Sequence, residues 1–423
     1  MMSFAAAQAL LRQAATPLTA ESVGLTQVLG RIAAKAVLSR ETIPPFANSA
    51  MDGFAVCSTD LREASASNAI TLPVQGMTAA GQPPAVVANA RGTAWRIMTG
   101  APIPVGYDAI LPIETVQLSA DQSRISVNAA PASGQHVRAQ GEDFALTEPV
   151  LAPGTRIGPA HIAALASTGI AEVSVVRQPR VVHFATGNEL VADANQPLAA
   201  GQIRNSNSPF LSAVLAQQGM LSQFGGQLPD EASAVLRQLQ QLCAGTPGDG
   251  VTPDIILTTG AVSAGDFDFI PQVVRELGGE VIFHKISIKP GKPILFARLP
   301  NGSLFFGLPG NPVSTAIGFR FFVLPLLQHM QGVPEPAPVW AALSGELHKP
   351  KADWRHFLKA QLSVDGDGLL RVRAHSGQES HKIKPLLNSD VWLVLDEGRC
   401  DFREGVRVPV ASLFGDALPW RLS

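Results

Sequence analysis

Cysteine is scarce in this 423-residue chain, and its few copies follow no pairing pattern. Cys57, Cys243 and Cys400 lie far apart with no CxxC spacing, which argues against a disulfide framework and fits a reducing compartment. The nine histidines show no HxxxH or Cys/His zinc spacing, so no structural zinc site is expected. Charge is thin too: 16% of residues are charged, the net charge is -2, and no basic run supports a nucleic-acid partner. Aromatics make up 6%, with Tyr107 the one tyrosine, so the interiors must rely on Val, Ile, Leu and Ala. The most apolar run, 319–327, is interrupted by Arg320 and Pro325 and is too short to span a bilayer. Met1-Met2-Ser3-Phe4-Ala5 lacks the cationic region that precedes a signal-peptide core. These absences predict a cytoplasmic protein engaging neither membrane nor nucleic acid. Neither a GxxxxGK[ST] loop nor a GxGxxG fingerprint occurs, so a bound anion needs a locally built site.

What is present is 46% hydrophobic residues over a length that suits two to four domains. Residues 6–16 read as an Ala-rich helix, and 21–30 as a second, with Leu25, Val28 and Leu29 on one face. From 42 to about 142 the chain is dense in Pro, Gly and short apolar runs, the pattern of an all-β module. Residues 158–170 return to a helical pattern, and the basic link 177–180 precedes a clear strand, 181–184. Strands and helices then alternate. Ser208 can cap a helix with Pro209 in its first turn, a weak strand follows at 221–226, and Asp230 can cap the next helix. This alternation predicts a mostly parallel sheet covered on both faces. A long apolar helix from 311–312 to about 330 should kink or divide at Pro325, and a Pro-rich linker, 332–338, leads into a small β domain. The expected fold class is α/β plus β, multidomain. The divisions are 1–41 with 145–178, an inserted β-rich module at 42–144, the doubly wound α/β domain at 179–331, and 332–423.

Candidate chemistry concentrates in 254–311. The small-residue loop after the strand at 254–258 contains Gly260, Ser263, Gly265, Asp266 and Asp268. Its glycines let backbone N–H groups approach a phosphate, although a tight turn capped by Asp fits equally; Asp268 is a better candidate than Asp266. A strand over 281–288 would aim Lys285 and Lys289 to one face, and Pro290-Gly291-Lys292-Pro293 adds a third cation. Buried lysines on one face are costly without an anion, so a site for a multiply charged anion is favoured over a solvated edge strand. A further strand ends in Pro309-Gly310-Asn311-Pro312. Glu189 and Asp230 fall where strands meet their connections, with Asp230 also readable as a helix cap. Carboxylates converging near lysines point to Mg²⁺ held between protein and substrate phosphates.

Seven stretches, in order, resemble the molybdopterin molybdenumtransferase family, the MoeA proteins and the E domain of gephyrin. They are Pro45-Phe46-Ala47-Asn48-Ser49-Ala50-Met51-Asp52-Gly53-Phe54-Ala55, Met98-Thr99-Gly100-Ala101-Pro102-Ile103-Pro104, Gly141-Glu142-Asp143, Thr186-Gly187-Asn188-Glu189-Leu190, 260–268, Lys289-Pro290-Gly291-Lys292-Pro293 and 307–314. The resemblance implies adenylated molybdopterin and molybdate as substrates, with release of AMP in a Mg²⁺-dependent reaction. It implies that Glu189, Asp230, Asp268, Lys285 and Lys289 line the pterin-binding site, with the first three as magnesium ligands. Gly260, Ser263, Gly265, Lys292, Pro309, Gly310 and Asn311 would cradle phosphate or pterin. Asp52, Thr99 and Asp143 belong to the β module, which an elongated homodimer brings over the partner's site, with 1–41 and 145–178 as the dimerisation domain. A molybdopterin adenylyltransferase is a possible protein partner. The alternatives are that the chain is itself such an adenylyltransferase, or a non-enzymatic cofactor carrier or scaffold. Two departures stand out: Ala261 replaces a glycine that would suit φ > 0, and Asn188 replaces an aspartate.

Overall fold

The computed structural model describes residues 1–245, 252–263 and 269–415. Two segments distant in sequence share its first small core. Glu172–Val176 pairs antiparallel with both Ala20–Gly24 and Ile32–Ala33, and helix Pro159–Ser167 lies nearby, with Val28, Leu151, Leu165 and Val173 buried together. The 21–30 stretch is thus a strand and a turn rather than a helix. Ser, Val, Thr and Gly are weak helix formers, and a short helix there would forgo the pairings of 20–24 with 172–176. Between these segments, six strands build a separate sheet, with Gly53–Val56 antiparallel to Ala94–Ile97 and Ala109–Pro112. Phe54, Val56, Leu72, Leu111 and Ile125 fill its core.

The central sheet has the order Leu221–Leu228, Arg180–Thr186, Ile255–Thr259, Leu304–Leu308, Leu295–Arg298, Glu280–His284. The first four strands are parallel, Leu295–Arg298 runs against them, and Glu280–His284, antiparallel to Leu295–Arg298, runs with them again. Ile255 and Leu257 pack into one core while Ile256 packs into the other, so both faces are covered. A strand buried on two sides reads as a continuous apolar run, which is why this sheet was legible in the sequence.

Helix Pro312–Gly318 passes through a π-helical turn, Phe319–Val323, into Leu324–Met330. The irregularity falls just before Pro325, which has no N–H to offer the carbonyl four residues back. That carbonyl, on Phe321, accepts instead from Gln8 Nε2 at 2.7 Å. Pro312–Met330 spans 19 residues at mean hydropathy 1.2, long and apolar enough to cross a membrane, unlike the shorter run the sequence displayed; 78% of its apolar window is buried in the fold.

The C-terminal strands close into a small barrel, because Arg355–Val364 pairs with Leu370–Ala374 beside it and also with Val391–Leu395 at the far end of the strand order. Ile288–Lys289 joins this barrel, parallel to Arg355 and His356. The single strand expected over 281–288 therefore does not exist. It stops at His284, and Lys285 turns out of it with φ 69°. Three backbone bonds hold that left-handed turn: Met2 N to Lys285 O at 3.1 Å, Lys285 N to Ile294 O at 3.1 Å and Ile286 N to Lys292 O at 2.9 Å. The argument that Lys285 and Lys289 share a strand face falls with it.

Candidate active site

Strand Arg180–Thr186 connects outward to Leu221–Leu228, whereas Ile255–Thr259 lies on its other side. The strand order reverses between them, and open α/β sheets bind ligands at that point, beyond the carboxyl ends of the strands. Two loops meet there. Gly260 has φ 100°, donates its N–H to Leu308 O at 2.9 Å, and lies so close to the neighbouring strand that a Cβ would fall 2.7 Å from Thr186 O. Only glycine fits both constraints. Ala261 follows in the left-handed region at φ 54°, so the departure noted in the sequence carries a conformational cost. Ser263 is exposed.

On the other side, Gly187 adopts φ 140°, and a Cβ there would collide with the Glu189 carboxylate folded back over it. Asp230 Oδ2 accepts from Asn188 N at 2.8 Å. Asp230 is therefore not a helix cap: the helix is Ala232–Cys243, its cap residue is Glu231, and the Asp230 carboxylate braces the loop that presents Glu189. Asn188, which cost the loop a side-chain carboxylate, keeps this backbone contact.

The third edge comes from 309–311. Pro309 is buried, while Gly310 and Asn311 are exposed, and a Cβ on Gly310 would lie 3.6 Å from Gly260 Cα. Asn207 Nδ2 donates to Gly310 O at 2.7 Å, and the buried Asn207 Oδ1 and Thr186 Oγ1 have no hydrogen-bond partner among the described residues. A buried polar atom left unpaired costs about 1–3 kcal/mol, so both atoms mark locally unfavourable packing beside the strand reversal. Asn207 went unnoticed in the sequence because Asn at a helix start reads as a cap; Asn205 does that work, its Oδ1 accepting from Ser208 N at 3.1 Å. Ser208 itself lies inside helix Asn207–Gln217.

The lysines reach the same end of the sheet by a different route. His284 pairs with Leu295, Leu295 with Gly307, and Gly307 with Thr258, so Lys285 emerges level with the carboxyl ends of the parallel strands. His284 Nε2 lies 2.9 Å from Val262 O and ties this edge to the 260–263 loop, a role the sequence did not signal. Lys285 is half-buried and Lys289 and Lys292 are exposed; none has an ion-pair partner among the described residues. Burial, then the charges of Lys289 and Lys349, push the His356 imidazole down to about 4.

In the β module, Thr99 donates to Asp52 Oδ1 from its backbone N at 2.7 Å and from its hydroxyl at 2.8 Å. These two bonds, the backbone one first, hold the Asp52 carboxyl below its ordinary range. Asp143 does not join them; it is exposed, and its N–H donates to Ile43 O at 2.9 Å. A cavity of about 610 Å³ lies away from all these residues, between the 4–14 and 312–330 helices and the barrel, bordered by Phe4, Arg320, Trp340 and Arg355.

Three family models match in order: "MoeA N-terminal region (domain I and II)" over 2–169, "Probable molybdopterin binding domain" over 183–329, and "MoeA C-terminal region (domain IV)" over 341–413. The molybdopterin molybdenumtransferase of Synechococcus elongatus is 37% identical over 98% of this chain and 100% of its own length. The chain belongs to the molybdopterin molybdenumtransferase family. The Haemophilus influenzae enzyme of that name is 34% identical over 95% of this chain and 96% of its own. The molybdopterin biosynthesis MoeA protein of Pyrococcus horikoshii superposes with a TM-score of 0.80 at 28% identity, covering 97% of this chain and 99% of that one. The multidomain α/β plus β fold expected from the sequence is therefore the fold of this molybdenumtransferase family.

Within that family frame, two expected site residues, Asp268 and Gly265, lie outside the described residues, as does Asp266. Among the described residues no three His, Cys, Asp or Glu side chains gather as a metal site. Glu189 and Asp230 lie on adjoining loops, joined by the Asn188 N to Asp230 Oδ2 bond, and Mg²⁺ commonly takes one or two carboxylates and completes its shell with phosphate and water.

Proposed function

We propose that this chain is a molybdopterin molybdenumtransferase acting in the cytoplasm: it inserts molybdenum from molybdate into the dithiolene of adenylated molybdopterin and releases AMP. The observation that carries this reading is the close glycine backbone at the strand reversal, where Gly260 approaches Thr186 O and Gly310, with Lys285 emerging unpaired among the described residues at the same end of the sheet. Both substrates are anions, and such a crevice supplies what a pyrophosphate link and a molybdate need. Lys285, Lys289 and Lys292 neutralise the pyrophosphate and molybdate oxygens. Gly260, Ser263 and the 309–311 turn seat phosphate or pterin by backbone approach. Glu189 and Asp230, with Asp268, would hold Mg²⁺, which when bound would draw charge from the phosphate oxygens.

Asp52, kept ionised by Thr99, faces the crevice of a second copy in a homodimer with shared sites, and Asp143 belongs to the same module. An Asp52→Ala chain mixed with a Lys285→Ala chain should regain activity in heterodimers, whereas no recovery assigns each site to one chain. The reaction itself is tested by mass balance. AMP release that requires both molybdate and magnesium supports the transferase; consumption of ATP instead identifies an adenylyltransferase. Lys285→Ala with wild-type turnover and an unchanged melting temperature would remove Lys285 from the reaction, and a wild-type protein that binds the pterin without releasing AMP would be only a carrier. Docking of a separate molybdopterin adenylyltransferase, read by co-sedimentation, would add direct substrate delivery.

A further inference from the structure

Lys359 is fully buried in the barrel strand Arg355–Val364, yet among the described residues no carboxylate forms an ion pair with it. Its ammonium donates to three backbone carbonyls instead: Gly377 O at 2.8 Å, Lys382 O at 3.0 Å and Glu379 O at 3.2 Å. An ammonium has three protons, so this cage satisfies it completely and draws 377–382 into one fixed loop. Gln378 locks the same loop to the strand: its Oε1 accepts from Lys359 N and its Nε2 donates to Lys359 O, each at 2.9 Å. The loop then reaches across to the α/β domain. Ser380 O accepts the N–H of Val313 at 3.1 Å, in the first turn of the helix that begins directly after Pro309-Gly310-Asn311. Asn311 offers that helix no side-chain cap, so Ser380 supplies what the helix's own sequence does not. The other end of the barrel strand holds the lysine segment, through pairing of Arg355 and His356 with Ile288 and Lys289.

We propose that Lys359 is a positioning residue: its carbonyl cage holds the 377–382 loop on the Val313 turn and thereby sets the 309–311 edge of the reaction crevice. The assignment rests on reading that crevice as the site of molybdenum transfer. A second buried lysine provides the comparison. Lys349 is also fully buried and donates to Ala352 O at 3.2 Å and Trp354 O at 2.5 Å, as well as to Asp396 O, and these groups make no hydrogen bond to 309–313 or 377–382.

The test replaces each lysine by methionine, which keeps the stem and removes the charge, in the full-length protein. Amide hydrogen exchange is read at Val313, together with melting temperature, kcat and KM for adenylated molybdopterin. In Lys359→Met, Val313 exchange should accelerate at least tenfold and KM rise about tenfold, with kcat within threefold; Lys349→Met should lower the melting temperature with Val313 exchange unchanged. If Lys359→Met lowers the melting temperature yet leaves Val313 exchange and KM at wild-type values, the cage is a stability element and the proposal is overturned. Equal effects of both substitutions on KM and exchange overturn it too, by making the damage global. If Val313 exchange accelerates while wild-type protein fails to release AMP, the positioning stands and the functional reading of the crevice falls.

Discussion

The two groups of residues assigned to one reaction are built in opposite ways. The Asp52–Thr99 pair is exposed and self-contained: one carboxylate oxygen takes both donors of its partner, in ordinary backbone geometry. The sheet crevice is made of backbone at close quarters, with Ala261 and Lys285 in left-handed conformations and unpaired polar atoms on Thr186 and Asn207. Strain and unsatisfied groups persist only where surrounding structure imposes them, and they collect at sites that gain from a ligand. On the proposed function, the crevice is organised for binding before substrate arrives, whereas the module pair is organised to stay charged. Substitutions should divide accordingly, with crevice changes affecting folding and affinity together and module changes affecting only protonation.

The largest effect is expected from Gly260→Val. A side chain at φ 100°, with its Cβ 2.7 Å from Thr186 O, meets backbone that cannot swing aside. The change should cost about 2–4 kcal/mol and abolish AMP release, read by thermal unfolding and turnover. A Gly260→Val protein with normal melting and turnover would break the contrast at its root. Next comes acid sensitivity through His183, buried within the crevice strand, its Nδ1 without a partner among the described residues and its imidazole pushed by burial down to about 4. The folded value lies below the unfolded one, so the folded chain favours the neutral ring. That stabilisation is fully present above about pH 6.5 and lost as pH falls towards 4, by up to about 3 kcal/mol. His183→Leu should flatten the pH dependence of the melting temperature over that window.

How far the sequence spoke depended on where each cause lies. The parallel strands were legible because burial on both faces writes itself as an apolar run, as at 255–259. The Lys285 turn was not, because its causes are Met2 at the far end of the chain and a barrel strand beginning at Arg355, contacts with no local signature. Asp230 read as a cap because an Asp just before a helix usually is one; its partner, Asn188 N, is a backbone group and leaves no trace in side-chain pattern. Asp52 and Thr99 were paired only by family resemblance. Here the geometry adds the physical reason, since antiparallel pairing of Gly53 with Ile97 brings the residues just beyond them together.

On the module side, Thr99→Val should leave folding intact and shift the acid limb of activity to higher pH. The valine removes the hydroxyl bond but keeps the backbone N–H, which is the stronger of the two contacts lowering the Asp52 carboxyl. The carboxyl therefore rises only part of the way to its ordinary range, and Thr99→Ser should restore the wild-type profile. A loss of activity independent of pH would mean that Thr99 touches substrate, and that the pair is more than a charge-keeping device.

The smallest effect should come from Ala261→Gly, which tests strain within the crevice directly. Alanine at φ 54° pays about 1 kcal/mol in Cβ crowding, whereas glycine adopts this backbone freely. Glycine also loosens the unfolded chain by about 0.4–1 kcal/mol, which offsets much of the relief. The net gain should be at most about 0.5 kcal/mol, a rise of one or two degrees in the melting temperature. If the loop's geometry is imposed by Gly260 and by the His284 tie to Val262 O, KM for the adenylated pterin should not change. If KM rises while the protein becomes more stable, the alanine is what holds the 260–263 loop in its binding shape, and the strain belongs to function rather than to tolerance.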